Sequence, residues 1–388
     1  MTVRRLRTSW PAILIATAFL AAGCHATPPA ARGTSGATPI VLSPAPLSPA
    51  PAPVTPSAAE TSILPHTADD QSADDPVNHV IAISIDGLNP RAIEDLGKSR
   101  TPAFHRLMRE GTSTLNARTV REKTSTTPNH TSMLTGRRVN AKHGGHGYTE
   151  NSDNGRTVHQ TAGHYAASVF DVVHDNGGST AFFGTKSKFR LYKRTWNSHG
   201  APDRVGRDNG RAKIDRFTID LDNTRLVAKV TAELRRKPRD FIFVHLSLPD
   251  RAGHASGFMS RPYLHAVERT DRLLSRILNT VADRSGLRRH TLLILTADHG
   301  GRGPSHYNVK KLQDFRIPFM TWGAGVPAGR NLYGLNPTFR SPGSSRTSYH
   351  GKQPIRNGDV ANLATDALDL PRVPGSEFDS PRSLNVFR

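Results

Sequence analysis

The chain has 388 residues, with 52 Lys and Arg against 32 Asp and Glu and a single cysteine. That length suits one large α/β domain or two smaller ones, and one cysteine excludes an internal disulfide framework and leaves no thiol for chemistry in the folded part. The net charge of +20 speaks to anionic partners and solubility and says nothing about fold; no compact run of five or six Lys and Arg marks a specific nucleic-acid partner.

In chain order, "MTVRRLR" is a basic start, and "PAILIATAFLAA" (Pro11–Ala22) is an apolar stretch followed by small residues. Such a stretch is shorter than the ~20 residues a bilayer span needs and reads as a secretory signal over residues 1–24. Cys24 closes "LAAGC", which resembles a bacterial lipoprotein box with Ala21 where Leu is usual. Lipid attachment at Cys24 is expected, with ordinary cleavage as the alternative; either places the protein in the periplasm or cell envelope. Loss of this segment removes Arg4, Arg5 and Arg7 and no acid, leaving +17. Residues 25–76 are rich in Pro, Ala, Ser and Thr, cannot bury enough apolar surface to fold, and are expected to be an extended tether. The ordered domain is expected over 77–388.

From there short apolar runs alternate with helical patterns, which predicts a mostly parallel sheet wrapped by helices. "HVIAISIDG" is a buried strand ending in Asp86. "TPAFHRLMREG" is a helix with Pro102 at its start and Gly111 at its stop. "YAASVFDVVHDNGG" and "TRLVAKVTAELRR" are helices, each leading into a strand, "STAFFGT" and then "DFIFVHLSLPD", the latter expected to end at Asp250. "RPYLHAVERTDRLLSRILNTV" leads into "HTLLILTADHG", which ends in Asp298 and His299, and "RIPFMTWG" and "DVANLATDALDL" complete the pattern.

Three strands therefore end in aspartate, where ligands bind in open α/β sheets. Asp250 is followed at i+4 by His254, and Asp298 directly by His299. Carboxylate oxygens and imidazole nitrogens are the common ligands of zinc and related cations, so the pattern predicts two metal sites. His306 is the preferred last ligand, with His350 as competitor. Between these motifs lies "KTSTTPNHTSMLTGRR" (Lys123–Arg138), a crowd of hydroxyls at a turn that opens a short helix. A threonine hydroxyl is a poor nucleophile at neutral pH unless a metal or base activates it, and a helix start adds N–H donors for an anion.

Together these residues resemble the alkaline phosphatase superfamily, and within it the type I phosphodiesterase/nucleotide pyrophosphatase branch. "SIDGL", "TTPNHTSMLTG", "DRAGH" and "TADHGG" match its metal and nucleophile motifs in order, across roughly residues 77–370. The resemblance implies a three-layer α/β sandwich with a mostly parallel central sheet and helices on both faces. It implies Thr126 as nucleophile, one metal held by Asp86, Asp298 and His299 with Thr126 bridging, and a second held by Asp250, His254 and His306. It further implies an Asn on a phosphate oxygen, for which Asn151 is preferred to Asn154. In the family the strand after this Asn contributes to the substrate pocket, which makes Lys186 and Lys188 candidates to meet a second anionic group and Phe182 or Phe183 to stack on an apolar leaving group; solvated lysines and core phenylalanines are the alternative.

The resulting expectation is an exported hydrolase with two divalent ions, zinc by its ligand set. It cleaves small phosphate esters, diesters or pyrophosphates first, through a phospho-threonine intermediate. A phosphomonoesterase or a sulfatase of the same superfamily is the nearest alternative. The sulfatase is disfavoured because "TTPNH" lacks both the convertible Cys or Ser and the Arg of that pattern. A non-catalytic envelope protein binding anionic polymers would explain the charge but not the aspartates and histidines.

Overall fold

β1, His79–Ile85, is apolar on both sides and buried from Val80 onward, the pattern of a strand covered on both faces. Each of Val80, Ile81, Ile83 and Ile85 removes a whole side chain from water, worth about 1.5–3 kcal/mol apiece. The computed structural model describes residues 76–205 and 210–387; the signal, the tether up to residue 75 and Cys24 lie outside them. Around β1 stand β2 (Thr112–Arg118), β3 (Thr180–Gly184), β4 (Arg216–Ile219), β5 (Phe241–Leu246), β6 (Thr291–Thr296), β7 (Arg316–Gly323) and β8 (Arg330–Asn331). They form one eight-stranded sheet in the order β4-β3-β5-β1-β6-β7-β2-β8.

β4, β3, β5, β1 and β6 run parallel, so their carboxyl ends share one edge. β7 is antiparallel to both β6 and β2, and β8 pairs parallel with β2. Helices cover both faces. The long helix Arg261–Ala282, capped by the Ser260 hydroxyl on the Tyr263 N–H, gathers helices Pro90–Arg100, Pro102–Glu110, Asn223–Arg236 and Leu248–Ser256. Helix Val360–Ala367 packs against Thr126–Thr135 and Val169–Asp175.

Two expectations need correction. The strand containing "FIFVHL" stops at Leu246, and Asp250 lies in the first turn of the following helix, because Pro249 favours a helix start over a strand interior. Phe182 and Phe183 are fully buried, with Phe182 stacked between Phe217 and Phe243, so neither faces a leaving group. Strands β2 and β4 were not anticipated: "TSTLNAR" is mostly polar with a register break between Thr114 and Ala117, and β4 is a four-residue edge.

Candidate active site

The loop-to-helix segment carrying Thr126 is fixed by its own motif. Helix Thr126–Thr135 starts at Thr126 and is buried along its whole length. Pro128 falls in the first turn, where its missing N–H has no helical partner to lose. Asn129 Nδ2 donates to the Lys123 and Ser125 carbonyls, and its Oδ1 accepts from the Val120 N–H, tying the approach loop to the helix. His130 Nδ1 lies 2.8 Å from the Thr126 carbonyl oxygen and 3.7 Å from Asp298 Oδ2. From beyond the sheet's last strand, Asn357 Nδ2 reaches both Asn129 Oδ1 (2.9 Å) and the Ala297 carbonyl (3.2 Å), clasping the Thr126 helix to the end of β6. The N-cap Ser125 offers no side-chain bond; the Thr127 N–H is instead received by Asn151 Oδ1 at 3.1 Å.

The carboxyl edge of the parallel strands brings the aspartates and histidines together. Asp86 follows β1, Asp298 and His299 follow β6, and ligand atoms of these three lie within 4.8 Å of one another. A second group, equally close, joins Asp250 and His254, one turn apart on their helix, to His306. His299 Nε2 is 3.3 Å from Asp298 Oδ2, 3.4 Å from Asp86 Oδ1 and 3.8 Å from Asp250 Oδ1, so the two groups adjoin. The His299 and His306 rings stack with centroids 3.5 Å apart. His306 is buried with Nε2 3.1 Å from His254 Nε2, whereas His350 is exposed in a turn.

Whether a cation fits can be judged from unmet polar atoms. Asp86 Oδ1, Asp250 Oδ1, Asp298 Oδ2 and His299 Nε2 are all buried without a hydrogen-bond partner, a costly arrangement unless something charged sits among them. His299 Nδ1 and His306 Nδ1 donate to the Gly300 and Thr124 carbonyls, so that each Nε2 is the ring atom turned toward the carboxylates, the orientation a metal ligand needs. The donor set therefore fits divalent cations in both groups. Without a cation, burial and then the Asp86 charge push the Asp298 carboxyl up to about 7. Burial works against charge on His299, yet Asp298 and Asp86 together raise its imidazole to about 9. His306 is driven the other way, to about 3, by burial and the charge of His299.

Lys186 lies deeper than the sequence suggested. Its Nζ sits 2.5 Å from Asp86 Oδ2, 2.6 Å from Asp250 Oδ2 and 3.4 Å from Thr126 Oγ1, so it joins the carboxylates to the hydroxyl. Lys188 clasps Asn151, its Nζ 2.8 Å from the carbonyl and 3.0 Å from Oδ1; burial and then the Lys186 charge bring its ammonium down to about 8. Asn154 instead bonds the Tyr148 hydroxyl.

Sequence reasoning missed His245 altogether. It stands fully buried in β5, with Nε2 2.9 Å from Asp86 Oδ2 and Nδ1 2.8 Å from Thr185 Oγ1. The signal was available: a histidine inside the apolar run "FIFVHL" needs a polar partner at depth. Tyr263 was likewise overlooked; its hydroxyl accepts from the Asn89 N–H and donates to the Gly87 carbonyl, holding the turn after Asp86.

A mostly parallel sheet that presents a buried threonine and two adjoining carboxylate–imidazole groups at one edge is the arrangement of the alkaline phosphatase superfamily. The family model for type I phosphodiesterase/nucleotide pyrophosphatase matches residues 80–316, more than half the chain, and the chain belongs to that family. Similar solved structures include murine ectonucleotide pyrophosphatase/phosphodiesterase 5, inactive form with AMP (TM-score 0.55, 14% identity, 79% of this chain and 99% of that one). Another is a sulfatase of glycosaminoglycan metabolism from Bacteroides thetaiotaomicron (TM-score 0.52, 15% identity, 80% and 77% covered). Among curated relatives, GPI ethanolamine phosphate transferase 1 of Aspergillus fumigatus is 27% identical over 223 residues, 54% of this chain and 21% of its own length. The human protein of that name is 21% identical over 319 residues, 76% of this chain and 32% of its own. The chain thus spans about a fifth to a third of the length of these relatives.

Proposed function

We propose that this protein cleaves phosphate diesters or pyrophosphates, with Thr126 as the nucleophile. The observation that supports this most is the placement of Lys186, which joins Thr126 Oγ1 to carboxylates of both candidate metal groups within 3.4 Å. Asp86, Asp298 and His299 would hold one divalent cation and Asp250, His254 and His306 another, zinc being the ion best suited to these donors. When bound, such a pair supplies Lewis-acid stabilisation of an alkoxide and of phosphoryl charge.

The chain's own groups do the positioning. Thr126 Oγ forms a bond to phosphorus as the bond to the leaving oxygen breaks, the Thr126 proton is released, and the leaving oxygen gains one. Water then attacks phosphorus as the bond from phosphorus to Thr126 Oγ breaks, and one of the water's protons restores the threonine hydroxyl. Asn151, fixed by Lys188 and the Thr127 N–H, presents its Nδ2 group for a non-bridging phosphate oxygen. Lys186 favours the negative charge that develops on both Thr126 Oγ and the phosphoryl group.

The first half of this sequence serves a transferase as well as a hydrolase, and the curated relatives bear a transferase name. The inactive murine pyrophosphatase carries a Thr-to-Ala substitution and binds AMP, which supports a threonine in this role. An aryl phosphate diester, a phosphate monoester and a sulfate ester, each assayed with and without chelator, test the proposal. The diester is expected to turn over fastest, chelator to stop it, and Thr126→Ala to lower the rate by roughly 10^3-fold or more. Preference for the sulfate, or turnover insensitive to chelator, overturns the reading. Adding an alcohol acceptor and measuring its phosphorylated product separates transfer from hydrolysis. Export with lipid attachment at Cys24 is part of the same proposal; labelled fatty acid should appear on the wild-type chain and not on Cys24→Ser.

A further inference from the structure

Asn151 lines a cavity of about 640 Å3 beside Lys186, and its side chain is only half engaged. Oδ1 accepts from the Thr127 N–H at 3.1 Å and from Lys188 Nζ at 3.0 Å. Two donors on one atom fix which end of the amide is oxygen and leave Nδ2 turned away from both. The one polar neighbour of Nδ2 among the described residues is the Tyr307 hydroxyl at 3.5 Å. That is beyond the roughly 2.7–3.2 Å of an ordinary N–H···O bond, so amide and phenol stand side by side with their protons unspent.

Tyr307 is brought there by the residue before it. His306 is fully buried, its Nδ1 donating to the Thr124 carbonyl at 2.7 Å, whereas Tyr307 is 54% exposed. The Tyr307 ring folds back over the His306 imidazole, centroids 4.1 Å apart, and stands 6.3 Å from the His254 ring. Its backbone N–H donates to the Ser305 hydroxyl at 3.3 Å. The ring is thus set against two candidate ligands of one metal group, and its hydroxyl is delivered to an amide 156 residues earlier in the chain.

Two donors at this separation can share one acceptor. An oxygen about 2.8–2.9 Å from each sits at the apex of the triangle they form. An ionised oxygen gains most from such a pair, because hydrogen bonds to a charged acceptor are shorter and roughly twice as strong as those between neutral groups. We propose that Tyr307 is a substrate-binding residue, its phenol O–H donating to the same non-bridging phosphoryl oxygen as Asn151 Nδ2. The proposal rests on the phosphate-binding reading of Asn151 and adds to it a second donor, carried by the loop that holds His306. The proton stays on the phenol throughout.

Tyr307→Phe keeps the ring over His306 and removes only the hydroxyl. Calorimetric titration of the metal-loaded protein with inorganic phosphate, which needs no turnover, is expected to show about 10-fold weaker binding for this variant than for wild type. Zinc content and melting temperature should match wild type. Phosphate binding that is unchanged overturns the proposal. So does tighter binding, which would mean that the phenol competes for the amide, and so does loss of zinc together with phosphate, which would reduce Tyr307 to a cover for His306. A wild-type protein that binds no phosphate overturns it as well. Weaker phosphate binding by Tyr307→Phe in a protein that turns over no aryl phosphate diester keeps the proposal and defeats the diesterase reading; diester turnover with phosphate binding unmoved by the substitution does the reverse.

Discussion

Lys186 is a cation placed among anions that also invite metal. Its ammonium answers one oxygen each of Asp86 and Asp250 and leaves the other oxygen of each unmet. It therefore competes electrostatically with a divalent ion while keeping the metal-free carboxylates from repelling one another. Lys186→Met should bind zinc more tightly, by roughly 10-fold, as read by competition with a chromogenic chelator. The metal-stripped variant should melt below the stripped wild type, because two buried carboxylates lose their counter-ion. Asp379 gives a second prediction. Burial pushes its carboxyl up to about 7 against the pull of the Leu384 and Ser383 N–H donors. The folded state then keeps a proton that the unfolded chain has already released by about pH 4, so stability falls as pH rises from about 4 to about 7. Asp379→Asn should remove that slope, up to about 1.4 kcal/mol per pH unit, in denaturant titrations at stepped pH.

At the scale of elements, legibility followed burial. β1, β6 and β7 were readable because near-continuous apolar runs bounded by turn residues leave few alternatives. β2 was not, since its neighbours β7 and β8 supply the pairing that its polar sequence does not announce. Thr126, Asp86, Asp298 and His299 follow from motif order; the apolar run around His245 announces a buried polar partner without saying that it is Asp86, and the hold of Tyr263 on the turn after Asp86 depends on how its helix packs. Gly87 shows how tightly those neighbours fit. It adopts φ +70°, and a Cβ there would lie 3.0 Å from Asp250 Cα. Gly87→Ala is expected to cost about 1 kcal/mol or more in backbone strain and to push the Asp250 helix outward. Thermal unfolding with and without zinc should show a reduced stabilisation by the metal.

For the molecule as a whole, the parallel order β4-β3-β5-β1-β6 sends Lys186, Asp250, Asp86 and Asp298 to one edge although they are spread over more than two hundred residues of chain. Such an edge is charged beyond what folding alone would choose, and ligand binding offsets it. Stripping divalent ions should lower the melting temperature and readdition restore it, since a ligand that binds only the folded state stabilises by mass action. What no motif could show is the shape around this edge, because the cavity beside Lys186 is lined by residues such as Ser152, Thr185, Leu221 and Arg251 that carry no signature in a sequence.

The clasp made by Asn357 has a practical corollary. It lies well past residue 316, where the family match stops, and yet one amide steadies both the threonine's loop and the strand end bearing Asp298. A fragment trimmed to the matched region would retain every candidate metal ligand and the proposed nucleophile and still lack the buckle that keeps them facing one another. Domain boundaries drawn from motifs alone would, for this fold, yield a protein with all its candidate site residues and without the amide that ties the Thr126 helix to the end of β6.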